Sequence, residues 1–385
     1  MASRKKNFKN ILDYVYDFGI SSFEEVPFFD LDASIFATLA YLELEKYFPV
    51  NENFKRGSIQ KYLCEYFSHV RINNLDNSIS GDDALALAIM SSNRFKDVKI
   101  TKVCSQFSIE DKVQFYAIEF LLPNGIRVIS YRGTDLSITG WEENAGLVCF
   151  NANTCQKLAS TFLETSFIKN KFSSFYVVGH SKGGNLAVFA SSLLRETFIK
   201  RLINVYSFDG PGLMDEIYDF IGHKRIQNKI VFIVPEDEMV GMLMKHETPS
   251  YVVSTATKGD LVSSHYILNW KIEDNHFVRA SDISSLSKTL SSATEKIFAD
   301  YLGDINVRIE FFKFFFDTVK KLGITDPKTI FDSPVNFFLS FSNEVRKSPN
   351  KKLFIGFLKA YISNFGSALF NKDQNNKKKA NKIKS

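Results

Sequence analysis

The chain has 385 residues, 45% of them hydrophobic and 24% charged, which excludes global disorder and a fibrous repeat and leaves room for one large domain with appendages or for two. Its net charge is +5. Residues 371–385 carry six lysines against one aspartate, which is +5 by themselves. The remainder is neutral and lacks the basic footprint of a nucleic-acid-binding domain.

The basic N-terminus runs into IleLeuAspTyrValTyrAspPheGly without an apolar core segment or a small-residue cleavage site, so no signal peptide is expected. No stretch of about 18 apolar residues is present. Cys64, Cys104, Cys149 and Cys155 form no CxxC pair and no zinc spacing, the usage of a reduced, cytoplasmic protein.

Residues 1–96 read as a helical segment. Asp32 can cap a helix reaching about Phe48. Ile59, Tyr62, Leu63, Tyr66 and Phe67 recur at helical spacing, and Asp82 and Asp83 suit the start of a third helix. Strands are predicted over 97–104 and 112–121, then a turn at Pro123-Asn124-Gly125 and a strand at 126–131, because Asn-Gly between apolar runs marks a hairpin. Helix and strand then alternate: helix 152–169, strand 174–178, helix 182–197, strand 202–208, helix near 213–222, strand 229–234 and strand 250–255. Continuous apolar strands separated by helices predict an α/β core over 97–275, a mostly parallel sheet with helices on both faces. Residues 276–370 return to helical periodicity with many of the chain's 38 phenylalanines, and a disordered basic tail is expected over 371–385.

The strongest chemical signal is Gly179-His180-Ser181-Lys182-Gly183-Gly184, a G-x-S-x-G pattern between a predicted strand and a predicted helix. A serine that attacks a carbonyl must be held out on a sharp turn, and the residues two before and two after it must be small. Gly179 and Gly183 meet that need. The oxyanion that forms needs two N–H donors, one from the residue after the nucleophile and one from an earlier strand end. Lys182 and Thr134, the latter in Tyr131-Arg132-Gly133-Thr134-Asp135, are the candidates. Among the histidines beyond the elbow helix, His223 and His246 lie in polar segments and His276 beyond Trp270. His265 follows a strand and a loop from which it can reach the serine, and it is the expected base. The acid is expected just past strand 229–234, in Pro235-Glu236-Asp237-Glu238, with a lean to Asp237 over Glu238 because the shorter carboxylate holds its geometry with less freedom. Asp209, in Asp-Gly-Pro-Gly, reads mainly as a tight-turn residue.

Together these motifs resemble the class 3 lipase branch of the α/β-hydrolases. The likeness is closer still to a bacterial serine-hydrolase family described as a domain of unknown function, which shares the IleLeuAspTyrValTyrAspPheGly and ValProPhePheAspLeuAspAla segments. The resemblance spans about 10–370. It implies a Ser-His-Asp/Glu hydrolase of carboxylic esters, with a lipid or acyl ester as substrate and no metal or organic cofactor. In class 3 lipases the acid stands two residues before a Val-Pro pair. Glu238 holds that place before Val240, and Gly241 replaces the proline, which leaves Asp237 and Glu238 both open.

An acyltransferase or thioesterase on the same triad, and a catalytically silent lipid- or protein-binding scaffold, are the alternative readings. The stripe Phe354, Leu358, Tyr361, Phe365 and Leu369, followed by the lysine-rich tail, can lie on an anionic membrane surface. The plainer reading of the same stripe is core packing. Oligomeric state has no sequence signal.

Overall fold

The computed structural model describes residues 8–70, 81–134, 137–150, 152–218, 222–325, 330, 334–348, 351, 354–356 and 359. The chain divides into two compact units, residues 1–134 with 151–283, and residues 135–150 with 284–385. The N-terminal helical segment and the α/β core therefore belong to one unit, and a short excursion at 135–150 belongs with the C-terminal helices. The sequence pattern leads one to expect a helical segment over 1–96 packed on the core; it does not announce the excursion at 135–150.

Among the described residues of the first unit, eight strands lie side by side in chain order: β1 (Gly57–Ser58), β2 (Lys99–Ser108), β3 (Val113–Leu121), β4 (Arg127–Tyr131), β5 (Phe175–His180), β6 (Leu202–Phe208), β7 (Ile230–Pro235) and β8 (Ser250–Val253). The junctions up to β3–β4 are antiparallel, and β4 to β8 run parallel. The β3–β4 hairpin turns at Asn124-Gly125, where Gly125 takes φ 82° and the Leu122 N–H donates to the Ile126 carbonyl at 2.8 Å. A small ribbon, β9 (Ile272–Glu273) with β10 (His276–Phe277), stands apart.

Alternate residues of each strand face opposite sides of the sheet, and the core follows that alternation. Val128, Val178, Tyr206, Phe208 and Ile233 pack with apolar residues of α1 (Ile11–Phe18), α2 (Asp30–Leu39), α3 (Ile59–His69) and α4 (Gly81–Ser91). Ile129, Val177, Val205, Phe232 and Val234 pack with residues of α6 (Thr154–Lys169) and α7 (Lys182–Ser192). Both faces are covered, as a parallel sheet requires. The result is an α/β-hydrolase-type fold, the class that the alternating pattern predicts. Single-turn helices α8 (Glu196–Ile199), α9 (Asp215–Tyr218) and α10 (Leu261–Ser264) punctuate the connections.

Asp32 does not begin the helix to Phe48. It is the third residue of α2, accepts the Phe29 N–H at 3.2 Å, and is fully buried against Arg94, which grips it through Nε at 2.8 Å and Nη2 at 2.6 Å. The helix stops at Leu39, and a short 3-10 turn follows at Leu44–Lys46.

In the second unit, α5 (Ile138–Cys149), α11 (Ser285–Tyr301), α12 (Ile305–Lys321) and α13 (Pro334–Lys347) hold much of the phenylalanine surplus. Leu302, Phe311, Phe341, Val345 and Phe354 form its core, with Phe314, Phe315 and Phe337 packed around them. Lys320 donates to Glu142 at 2.6 Å. Phe354 is buried and stacks on Phe314 with ring centroids 4.4 Å apart, so the stripe's first residue is core. Leu358, Tyr361, Phe365, Leu369 and the lysine-rich tail lie outside the described residues. No helix among the described residues is long and apolar enough to cross a membrane.

Candidate active site

Ser181 stands between β5 and α7 with φ 57° and ψ −132°. For a residue other than glycine this is a strained conformation, of order 1–3 kcal/mol, and it persists because the backbone around it is tied down. The Ser181 N–H donates to the Phe208 carbonyl at 2.9 Å, and its carbonyl accepts from the Gly184 N–H at 2.8 Å. The two small residues of the motif are dictated by contact. A methyl at Gly179 would collide with the Gly183 carbonyl, and one at Gly183 with the Tyr131 carbonyl at the end of β4. The elbow is thus wedged against its own helix on one side and the neighbouring strand on the other.

Lys182 opens α7, so its N–H is among those that a helix start leaves without an intrahelical acceptor. Its side chain is buried, and its ammonium donates to the Gln114 carbonyl at 2.6 Å and to Gln114 Oε1 at 2.9 Å. This anchoring of the helix start to β3 is a role that the sequence pattern does not announce. Thr134 follows Gly133, where a methyl would sit 3.1 Å from the Ser181 Cβ. The strand-end loop proposed for the second N–H donor therefore lies beside Ser181.

His265 lies just past α10, which Asp260 caps through the Ser263 N–H. Its Nδ1 is 2.6 Å from Asp209 Oδ2. Asp209 follows β6 at φ 45°, fully buried, and its other oxygen accepts the Gly241 N–H at 3.0 Å. Burial pushes the His265 imidazole down to about 4, which leaves it neutral near pH 7. Burial pushes the Asp209 carboxyl up, and the Gly241 N–H acts in the opposite direction.

The acid at the imidazole is therefore Asp209, and neither Asp237 nor Glu238 is brought to it. Asp237 accepts the Gly259 N–H at 2.6 Å, and Glu238 accepts the Met242 N–H at 3.1 Å. The physical reason is strand order. β6 neighbours β5, so the end of β6 lies one strand from the elbow, whereas the carboxylates past β7 lie two strands away, Asp237 holding the Gly259 N–H of the loop that carries His265 and Glu238 the Met242 N–H of its own loop. Glu238 is buried and its carboxyl is pushed up to about 8, by desolvation first and by the charge of Asp209 second. Gly241, which replaces a proline of the lipase pattern, supplies an N–H to Asp209 that a proline lacks. The sequence signal for Asp209 was its place at a strand end in the order Ser, Asp, His. The glycines and proline beside it disguised it as a turn.

A sequence profile of the family described as Mbeg1-like matches residues 89–317, which is more than half of the chain and includes the strand-end loop, the elbow, Asp209 and His265. The chain belongs to the Mbeg1-like family. Solved structures similar to this Mbeg1-like chain include a mutant form of MDLA from Penicillium cyclopium, at 16% identity and TM-score 0.39 over 66% of this chain and 87% of that one. Lipase II from Rhizopus niveus matches at 12% identity and TM-score 0.36, over 66% and 88%. The Rhizomucor miehei lipase propeptide complex matches at 16% identity and TM-score 0.33, over 58% and 67%. No curated protein matches the sequence. The lipase-like α/β-hydrolase assignment implied by the motifs and the Mbeg1-like family agree.

Proposed function

We propose that the protein is a serine hydrolase of carboxylic esters. The observation that carries this reading is the 2.6 Å contact of Asp209 with Nδ1 of His265, on a base whose burial keeps it neutral, together with a serine held at φ 57° on the elbow. Ser181 Oγ attacks the acyl carbonyl carbon while His265 Nε2 takes its proton. Asp209 holds the imidazole by its Nδ1–H and stabilises the imidazolium. The carbonyl oxygen becomes an oxyanion facing the N–H groups of Lys182 and Thr134. Collapse of the tetrahedral species breaks the ester C–O bond, and the alcohol leaves with the proton from His265. Water then repeats the sequence on the acyl-serine and releases the acid.

An acyl or lipid ester is favoured as substrate by the exposed apolar side chains of Val262 and Tyr266, at 43% and 49% exposure, in the loop that carries His265. They offer apolar surface to a hydrocarbon chain at the reacting centre.

Hydrolysis of p-nitrophenyl esters of increasing chain length, with labelling by a fluorophosphonate, tests the reading. Ser181→Ala is expected to abolish labelling and to lower kcat/KM by several orders of magnitude. Equal turnover by both proteins would overturn the assignment.

A further inference from the structure

Asp209 fixes the His265 ring at Nδ1, but it does not fix the main chain that carries the ring. That chain is a loop over residues 254–271 built from single turns; internal bonds such as Trp270 Nε1 to the Ser264 carbonyl at 2.8 Å and Asn269 to the Ser263 carbonyl at 2.7 Å hold it to itself, and Asp237 at the Gly259 N–H, Glu236 at the Thr255 N–H and Asn10 at the Leu268 carbonyl hold it at points away from His265. One bond ties the base's own main chain to the elbow. His180 Nε2–H donates to the His265 carbonyl at 2.8 Å, and His180 immediately precedes Ser181. Since a carbonyl can only accept, His180 carries its proton on Nε2. Burial pushes its imidazole well below the ordinary range, so the ring is neutral and Nδ1 is an acceptor. Tyr41 Oη, 2.9 Å away, donates to that Nδ1. The same phenol oxygen lies against Gly133, where a side chain would collide with it.

We propose that Tyr41 and His180 are positioning residues, linking the oxyanion loop (Gly133), the elbow (His180–Ser181) and the base (His265) through the packing of Tyr41 on Gly133 and two hydrogen bonds, Tyr41 to His180 and His180 to His265. Tyr41 lies outside residues 89–317, the span matched by the family, in the turn after α2. Arg132, the residue before Gly133, clamps that turn by donating to the Ala40 carbonyl at 2.5 Å and the Leu42 carbonyl at 2.9 Å, and by pairing with Glu45. The N-terminal segment thus reaches the elbow through the Tyr41 hydroxyl. Both residues act through the geometry of others, and neither takes a proton from substrate.

The proposal rests on the hydrolase reading, and the experiment separates the two. In the full-length chain, kcat and KM for p-nitrophenyl butyrate are measured for wild type, Ser181→Ala, Tyr41→Phe, His180→Leu and His180→Gln, with ¹⁵N ring shifts of the histidines in parallel. Misplacing a reacting group by a fraction of an ångström lowers the rate rather than the affinity. Tyr41→Phe and His180→Leu should therefore lower kcat roughly 10- to 100-fold with KM within about twofold. His180→Gln, whose amide N–H can replace Nε2–H, should recover most of it. In the spectra, His180 should be the neutral Nε2–H tautomer, and Tyr41→Phe should shift the His265 ring signals. Unchanged kcat in both variants overturns the proposal, as does a loss in His180→Leu that His180→Gln does not relieve. If turnover does not depend on Ser181, the hydrolase reading fails alone, and the ring shifts decide the tether: His265 signals unmoved by Tyr41→Phe overturn it.

Discussion

A buried imidazole serves as a general base only while it is neutral and aimed, and the carboxylate beside it helps only while ionised. In this protein both conditions are reached by losing protons. Burial lowers His265, so its neutral form persists into acid. Burial raises Asp209, so its ionisation is delayed toward higher pH. The two groups titrate as a pair, and the sign is the same for both: kcat/KM for a p-nitrophenyl ester should rise from about pH 5 to about pH 8. A rate that falls over that interval contradicts this arrangement. The choice of acid is tested by substitution. Asp209→Asn should lower kcat roughly 10⁴-fold, the scale expected when a triad acid becomes an amide. Asparagine tolerates the positive φ at this position, so circular dichroism should show the fold intact. Glu238→Gln should cost little by comparison, because Asp209 is the carboxylate on the His265 Nδ1 and the glutamine oxygen can still accept the Met242 N–H. A greater loss from Glu238→Gln than from Asp209→Asn would return the acid to β7.

Single elements hold the elbow by contact rather than by propensity. Gly183 of α7 packs on the Tyr131 carbonyl of β4, and backbone cannot rotate away as a side chain can. Gly183→Ala should therefore destabilise the fold by about 1–3 kcal/mol, read as a shift in urea midpoint. The Asp32–Arg94 pair does comparable work for α2. Both side chains are fully buried, and Arg94 also donates from Nη1 to the Val26 carbonyl at 3.1 Å and the Ser22 carbonyl at 3.0 Å. Asp32→Ala leaves that guanidinium without its carboxylate and should cost about 3–5 kcal/mol. The period of apolar residues revealed α3 and most core strands. The early end of α2 was hidden, because the residues from Tyr41 to Leu44 still look helical while Arg132, distant in sequence, binds the turn through the Leu42 carbonyl and Glu45.

Across the first unit, the core that covers one face of the sheet is largely N-terminal: Ile11, Leu31, Ile35, Phe36, Leu63 and Ile89 pack against residues of β4 to β7. The span matched by the family begins at residue 89, so a chain starting there carries Ser181, Asp209 and His265 yet leaves that face exposed to water. It should be insoluble, or lack near-ultraviolet circular dichroism when soluble, whereas the full chain gives a cooperative melt. A cooperative, active fragment would show that the N-terminal helices are dispensable cover.

The sequence by itself determined the α/β class, the hairpin at Asn124-Gly125 and the elbow around Ser181, because each depends on residues close in the chain: strand periodicity, turn chemistry and the small residues that a sharp turn demands. It also set the order of serine and histidine. Which carboxylate meets His265 was decided only by the tertiary structure. Asp209, Asp237 and Glu238 all stand at strand ends, and the neighbour order of β5, β6 and β7 picks among them. The bonds from Tyr41 to His180, and from His180 to the main chain of His265, span 139 and 85 residues. No local pattern encodes them, since they exist only once the sheet has brought three distant segments to the same strand ends.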